Sequence, residues 1–466
     1  MKRFLVIAVT LAFALSSLAG CAQPTPQVVE VEKTVLVTQE VVTTVEVPKE
    51  VVVTVEVEAP AIPPDALLTA WVWQSFVEGA DDFLRSQVDE FTKFTGIPVE
   101  ITFINPDETY AKFSAALEAP ETLPDLILFD GVVFPQFQEA GRLVDVSDVV
   151  ANISKEAGGL NQALIEGVTV DGKSYAIPWL ADAMASYFRT DVFESAGVPV
   201  PTTFTELLEA CPKVNKEGEM YCVGLNINGF GDSEEFSRHL IWSYGGTATD
   251  PEGTKATINS PETIAALNYI KALADQGSFP PDFPTSDDYS NNQWFQTGLV
   301  AYTINSGSIG AWLSENDPEM YANTLMAIPL ANDEGERMMS INPLSFAITT
   351  NSKYPDLAKM LLEWLTSAEN SWDYIEATNY AHVSCYNDMV NRPVIQEDPN
   401  RKAMAETMGY SRYASWPAPL SSAATEIYSS RVLSKMLMNV MTGEMTPEES
   451  AADAETKINE ILARYQ

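Results

Sequence analysis

An alternation of short apolar runs with helical periodicity constrains this chain most. Leu67 to Trp73 is a compact apolar run that reads as a buried strand. Phe83, Leu84, Val88, Phe91 and Phe94 then recur at helical spacing, and Gly96 and Pro98 end that helix. Val99, Ile101 and Phe103 alternate as a strand does, and Asn105-Pro106 opens a second helix with Tyr110, Phe113 and Leu117 on one face. Leu126 to Phe129 is a third buried strand. This β-α-β-α-β order predicts an α/β fold with mixed, mostly parallel sheets and helices on both faces. Ligands of such sheets sit beyond the carboxyl ends of the strands. Trp73-Gln74-Ser75 and Asp130-Gly131 fall there. Farther on, Thr203 with Glu206 and Thr446 with Glu449 form capping boxes, the second opening a last helix that buries Ala454, Ile458, Ile461 and Leu462.

The first residues read as an address. Lys2 and Arg3 precede an apolar run from Phe4 to Leu15, too short to span a membrane and followed by small residues, as in a secretory signal over 1–20. Leu18-Ala19-Gly20-Cys21 resembles the lipobox of bacterial lipoproteins. That resemblance implies lipidation of Cys21 and an extracytoplasmic protein held to the membrane by its lipid. Three ten-residue blocks follow (31–40, 41–50, 51–60), each carrying Thr-Val-x-Val at one offset. Such a segment lacks the varied apolar surface a core needs, so 21–64 is read as an extended tether. Paired valine strands, or a coiled-coil stalk on Val31, Val35, Val42, Val45 and Val52, are the alternatives, and Pro48 weighs against the helix.

The chain has 27 Lys+Arg against 65 Asp+Glu, a net charge of -38. So acidic a surface repels phosphate backbones, which argues against nucleic-acid binding. Its two histidines, His239 and His382, cannot build a His-rich zinc site, and no phosphate-cradling or dinucleotide glycine motif occurs, so neither a metal nor a cofactor is expected. Ser306-Gly307-Ser308-Ile309-Gly310 lacks the first glycine of a nucleophile elbow. No catalytic residues are assigned and the chain is not expected to be an enzyme, although a secreted glycoside hydrolase, which needs only two carboxylates, stays as a rival. Cys211 and Cys222 lie eleven positions apart across a polar turn and suit a disulfide in an oxidising compartment, with two buried thiols as the alternative. Cys385 reads as a packed free thiol.

Four stretches together resemble the extracellular solute-binding proteins of ABC importers, in the cluster that includes maltodextrin binders. The first runs from Gly172-Lys173-Ser174-Tyr175-Ala176-Ile177-Pro178-Trp179 through Tyr187 to Phe193, Ala196-Gly197-Val198 and Pro201 to Leu207. The second is Phe295 to Trp312, the third Phe346 to Leu365, and the fourth Met441 to Ala451. Arg189-Thr190 stands where Asn-Lys is usual, and Cys211 and Cys222 are additions to the pattern. The resemblance implies a two-lobed, type II periplasmic-binding-protein-like fold, with lobe one at 65–184 plus 330–384 and lobe two at 185–329 plus 385–466. The lobes would close as a hinged clamp on a sugar or oligosaccharide and present it to the permease subunits of an ABC importer. A monomer is expected, and a peptide or polyamine on the same fold is the alternative ligand. A sugar's C–H face stacks on indoles while its hydroxyls need directed hydrogen bonds. The aromatic candidates are therefore Trp73, Trp179, Trp242, Trp312 and Trp416, and the polar ones are Gln74, Asp130, Asp182, Ser308 and Asn342.

Overall fold

The computed structural model describes residues 62–228 and 231–466. The signal, Cys21 and the valine-rich blocks lie outside the described residues. β1 (Leu68–Trp73), β2 (Val99–Ile104) and β3 (Leu126–Asp130) form where the apolar runs place them. β1 pairs in parallel with both β2 and β3. Between β1 and β2 the helix Ala80–Thr95 buries Leu84, Val88 and Phe91. It stops at Gly96, whose φ of 80° is a left-handed cap that costs glycine little. Phe94, on the opposite face, is 63% exposed.

The remaining strands are β4 (Thr169–Val170), β5 (Lys173–Ser174), β6 (Ile177–Ala183), β7 (Ala185–Arg189), β8 (Tyr221–Val223), β9 (Val300–Asn305), β10 (Thr324–Ala327), β11 (Met339–Ile348), β12 (Val383–Ser384) and β13 (Ser411–Arg412). β4 and β5 make a hairpin whose Asp171-Gly172 turn has positive φ at both positions. The first sheet runs β12-β6-β11-β3-β1-β2 with β13 beside β11, and the second runs β10-β7-β9-β8. Both are mixed. Among the named strands of the described residues, parallel pairing is confined to β1 with β2 and β3, β11 with β13, and β8 with β9. β6 and β11 pair antiparallel with each other, and β11 also with β3. The expected parallel character therefore describes only part of the sheets. Only Met184 separates β6 in one sheet from β7 in the other, and β11 enters the first sheet directly after β10 of the second. Strands that cross between sheets in this way are not tied by βαβ crossovers to a parallel direction.

Apolar side chains of both sheets are buried under helices. Leu68, Leu126, Ile177 and Phe346 belong to one core, while Phe188, Phe193, Phe204 and Leu267 belong to another. Both capping boxes form, at Thr203 with Glu206 and at Thr446 with Glu449, and the last helix Pro447–Leu462 buries Ala454, Ile458, Ile461 and Leu462. A disulfide joins Cys211, in helix Phe204–Val214, to Cys222 of β8, with Cα atoms 5.1 Å apart. Cys385 is a buried free thiol. Closing so short a loop restricts the unfolded chain, so the double change Cys211→Ser with Cys222→Ser is expected to cost about 2–3 kcal/mol by urea unfolding. A loss under about 1 kcal/mol would mean that the bridge holds a segment already fixed by packing.

Candidate functional site

The carboxyl ends of β1, β3 and β6 bring Trp73, Asp130 and Asp182 to one groove. Across it lie Asp232 and Glu235 from helix Gly231–Ser243, Ser306 and Ser308 from the turn after β9, and Tyr428 from helix Ser422–Ser429. The groove holds two adjoining cavities of about 70 Å³ and 40 Å³. Both are lined by Trp73, Phe76, Asp182, Ser306 and Ser308.

Trp73 is half-buried, its ring edge-on to Phe76 at 6.4 Å. Trp179 is 2% exposed and lies against Phe346 and Tyr374, with ring centroids at 5.0 and 4.6 Å. Each of these indoles has a buried Nε1 with no partner. Gln74 and Trp179 line the smaller cavity. Asp130 accepts from the Val132 backbone N–H and the Tyr110 hydroxyl, both at 2.9 Å. Asp182 has a buried Oδ1 without a partner. Ser308 donates to Asn305 Oδ1 at 3.0 Å and accepts from Asn292 Nδ2 at 3.1 Å. Asn342 is the register partner of Asp182 across β6 and β11.

The other three tryptophans line neither cavity of the groove. Helix Ser308–Asn316 buries Ile309, Ala311 and Leu313, which turns Trp312 outward to 38% exposure. Trp242 is buried and packs edge-on to Trp416 at 5.6 Å. Trp416 lines a separate cavity of about 690 Å³ that shares no lining residue with the groove. That cavity is far larger, yet none of the unpartnered buried side-chain atoms among the described residues borders it. Unpaired buried polar atoms are costly and mark where a ligand would complete a bond, so the chemistry points to the groove.

Residues the sequence reading missed supply most of the groove's charge. Asp130, Asp182, Asp232, Glu235 and Asp288 line the larger cavity, against one guanidinium, that of Arg431. Burial pushes Asp130 and Asp182 up to about 7. Asp232 and Glu235 are raised by the same cause. Burial also pushes His382, beside the smaller cavity, down to about 4, and its Nδ1 has no partner. Tyr428 donates to Glu235 at 2.7 Å, while Glu234 and Arg238 form a buried ion pair at 2.6 Å behind the groove. The wall thus offers acceptors, on the carboxylates, and donors, on the indoles, to one occupant. Among the described residues no cluster of three or more His, Cys, Asp or Glu could hold a metal ion, and no helix is long and apolar enough to cross a membrane.

The sequence profile of the family described as bacterial extracellular solute-binding protein matches residues 77–372. A probable ABC transporter-binding protein of Deinococcus radiodurans is 26% identical over 327 residues, spanning 67% of this chain and 74% of the relative. The maltodextrin-binding protein MdxE of Bacillus subtilis is 22% identical over 402 residues, spanning 83% and 89%. Among solved structures, an ABC transporter solute-binding protein from Thermotoga lettingae bound with alpha-D-tagatose superposes with a TM-score of 0.75 at 23% identity, covering 85% of this chain and all of that one. At that identity the likeness shows the fold, which is the two-lobed binding-protein architecture.

Proposed function

The chain belongs to the bacterial extracellular solute-binding proteins, and from that membership we propose that it captures a sugar or related polyol in the groove and delivers it to an ABC importer. The observation that carries this reading is the coexistence, in one groove, of unpartnered buried donors on Trp73 and Trp179 and an unpartnered buried acceptor on Asp182. A hydroxyl donates and accepts, so a polyhydroxylated ligand can complete both kinds of bond. A polyamine in its cationic form only donates and would leave the indoles unpaired. The maltodextrin-binding relative and the tagatose-bound neighbour support a sugar.

In this reading lobe one is 65–184 plus 330–384, and lobe two is 185–329 plus 385–466. The one-residue link at Met184 and the passage from β10 to β11 act as hinge, and closure over the ligand is what the permease recognises. Lipid on Cys21 holds the protein at the membrane. The binding residues are Trp73, Gln74, Asp130, Trp179, Asp182, Ser308 and Asn342, joined by Asp232 and Glu235.

A thermal-shift screen over mono-, di- and oligosaccharides and sugar alcohols tests this. A true ligand at a hundredfold its Kd adds about 2.7 kcal/mol of stability, and chromatography of the mixture should return it uncleaved. Trp73→Ala should weaken that ligand by about tenfold or more, some 1.4 kcal/mol. The reading fails if no polyol shifts the transition, or if a linear polyamine does so more strongly than any of them.

A further inference from the structure

We infer that the groove takes a single sugar ring or one open-chain sugar alcohol, and that Phe76 and Tyr289, meeting across its rim, keep longer sugar chains out. The inference rests on the sugar reading above and narrows it by size.

Room is the first constraint. The adjoining cavities of the groove measure about 70 Å³ and 40 Å³, and a further one beyond His382 about 20 Å³. Pockets that enclose a drug-sized ligand begin near about 300 Å³. The separate cavity of about 690 Å³ is large enough for a chain, but it shares no lining residue with the groove, so a sugar does not run from one into the other. Platforms are the second constraint. Each added ring of a sugar chain needs another apolar face beneath its C–H side. Trp73 is half-buried and lines both cavities of the groove. Trp179 is 2% exposed, and its ring is taken up by Phe346 and Tyr374. Trp242, Trp312 and Trp416 line neither cavity. Of these five indoles, Trp73 alone is left to serve as a platform, and one platform carries one ring.

Aromatic pairs also span the groove from wall to wall. Phe76 follows β1 and lines both cavities, yet it is 37% exposed, so it stands between the cavities and solvent. Its ring meets that of Tyr289 edge-on, with centroids 4.9 Å apart. Tyr289, 39% exposed, precedes helix Ser290–Gln296. In that helix Asn291 donates to the Ile304 carbonyl of β9 at 3.3 Å, and Asn292 lines the larger cavity. Phe76 therefore comes from the first sheet and Tyr289 from the second, and they touch over the rim. A second pair bridges the same walls: Tyr110, on helix Pro106–Glu118, lies 6.2 Å from Tyr428, on helix Ser422–Ser429. A single ring fits beneath such contacts. A chain leaving the site would hold Phe76 and Tyr289 apart and forfeit their edge-to-face attraction.

Isothermal titration of the full-length chain tests the point, with a panel of pentoses, hexoses, their alditols, and the di- and oligosaccharides built from those hexoses. The tightest ligand should be a monosaccharide or an alditol, and it should bind at least about tenfold more tightly than every di- or oligosaccharide. Tyr289→Ala, which removes the ring, should shrink that preference to about threefold or less, whereas Tyr289→Phe, which keeps the ring, should preserve it. Phe76→Ala should relax the preference in the same direction. Both rings are more than a third exposed, so neither truncation opens the core and the melting temperatures should stay near that of the unaltered chain. A di- or oligosaccharide binding within about tenfold of the best monosaccharide or alditol would overturn the inference and leave sugar capture standing. The inference is equally overturned if both alanine variants change every affinity alike and keep the preference, since the rings would then serve structure alone. If nothing in the panel binds, both readings fall together.

Discussion

Arg238→Ala is expected to lower the stability of the chain by about 3–5 kcal/mol, because it strands a buried charge. Arg238 is 2% exposed and Glu234 1%. The guanidinium donates to Glu234 Oε2 at 2.6 Å, to the Glu234 carbonyl at 3.0 Å and to the Ala414 carbonyl at 2.8 Å. It also stacks 4.7 Å from the Tyr428 ring. Truncation would leave Glu234 with only the Ser434 N–H and hydroxyl, at 2.8 and 2.9 Å, to offset a full charge out of water. It would also unpair the Ala414 carbonyl and open space beneath Tyr428, which positions Glu235. Taking charge from both partners, as Arg238→Met with Glu234→Gln, should cost markedly less than the single change, since no ion is then left alone. Urea unfolding of the two single variants and the double variant measures this directly. A single-variant loss under about 1 kcal/mol would mean water reaches Glu234 and the pair does not hold the helix.

What the sequence disclosed follows from what is local. β1, β2 and β3 could be read because each is an apolar run bounded by breakers, and Trp73 and Asp130 could be placed at a ligand edge because strand ends fix the edge. The antiparallel placement of β6 and β11 was not legible, since it depends on contacts some 160 residues apart, as between Asp182 and Asn342. Asp232 and Glu235 were missed for a different reason. In helix Gly231–Ser243 every residue from Ser233 to Ser243 is buried, so the helix has no polar face against which two inward carboxylates would look misplaced. The visible signal was three acids and an arginine within Asp232 to Arg238, too many charges for one buried helix without a purpose. Composition offered nine tryptophans without saying which way each turns. Trp312 faces outward because it is one position away from Leu313 on its helix, and Trp242 and Trp416 spend their faces on each other.

The groove should also make the chain less stable as pH rises through neutrality. Folded Asp130 and Asp182 keep their protons up to about pH 7, while in the unfolded chain they release them near their ordinary value of 3.8. Between those limits the folded form binds more protons, so stability falls with rising pH and levels off above the folded value. From pH 5 to pH 8 each of the two costs about 3 kcal/mol. His239 and His382 act in the opposite sense. Burial pushes both down to about 4, so they stay neutral in the folded chain while the unfolded imidazoles take up protons below about 6.5. Raising the pH from 5 to 6.5 therefore returns about 2 kcal/mol per histidine. Asp232 and Glu235, raised by burial, add to the carboxylate side. The net expectation from these four groups is a loss of about 2 kcal/mol between pH 5 and 8, deepened by Asp232 and Glu235 and steepest just below pH 7 where the histidines no longer oppose it. Urea midpoints at pH 5, 6, 7 and 8 report it, and Asp130→Asn with Asp182→Asn should abolish the fall and leave the histidines' opposing rise to dominate. Stability that instead climbs steadily from pH 5 to 8 would mean these carboxylates are already ionised and compensated in the empty protein.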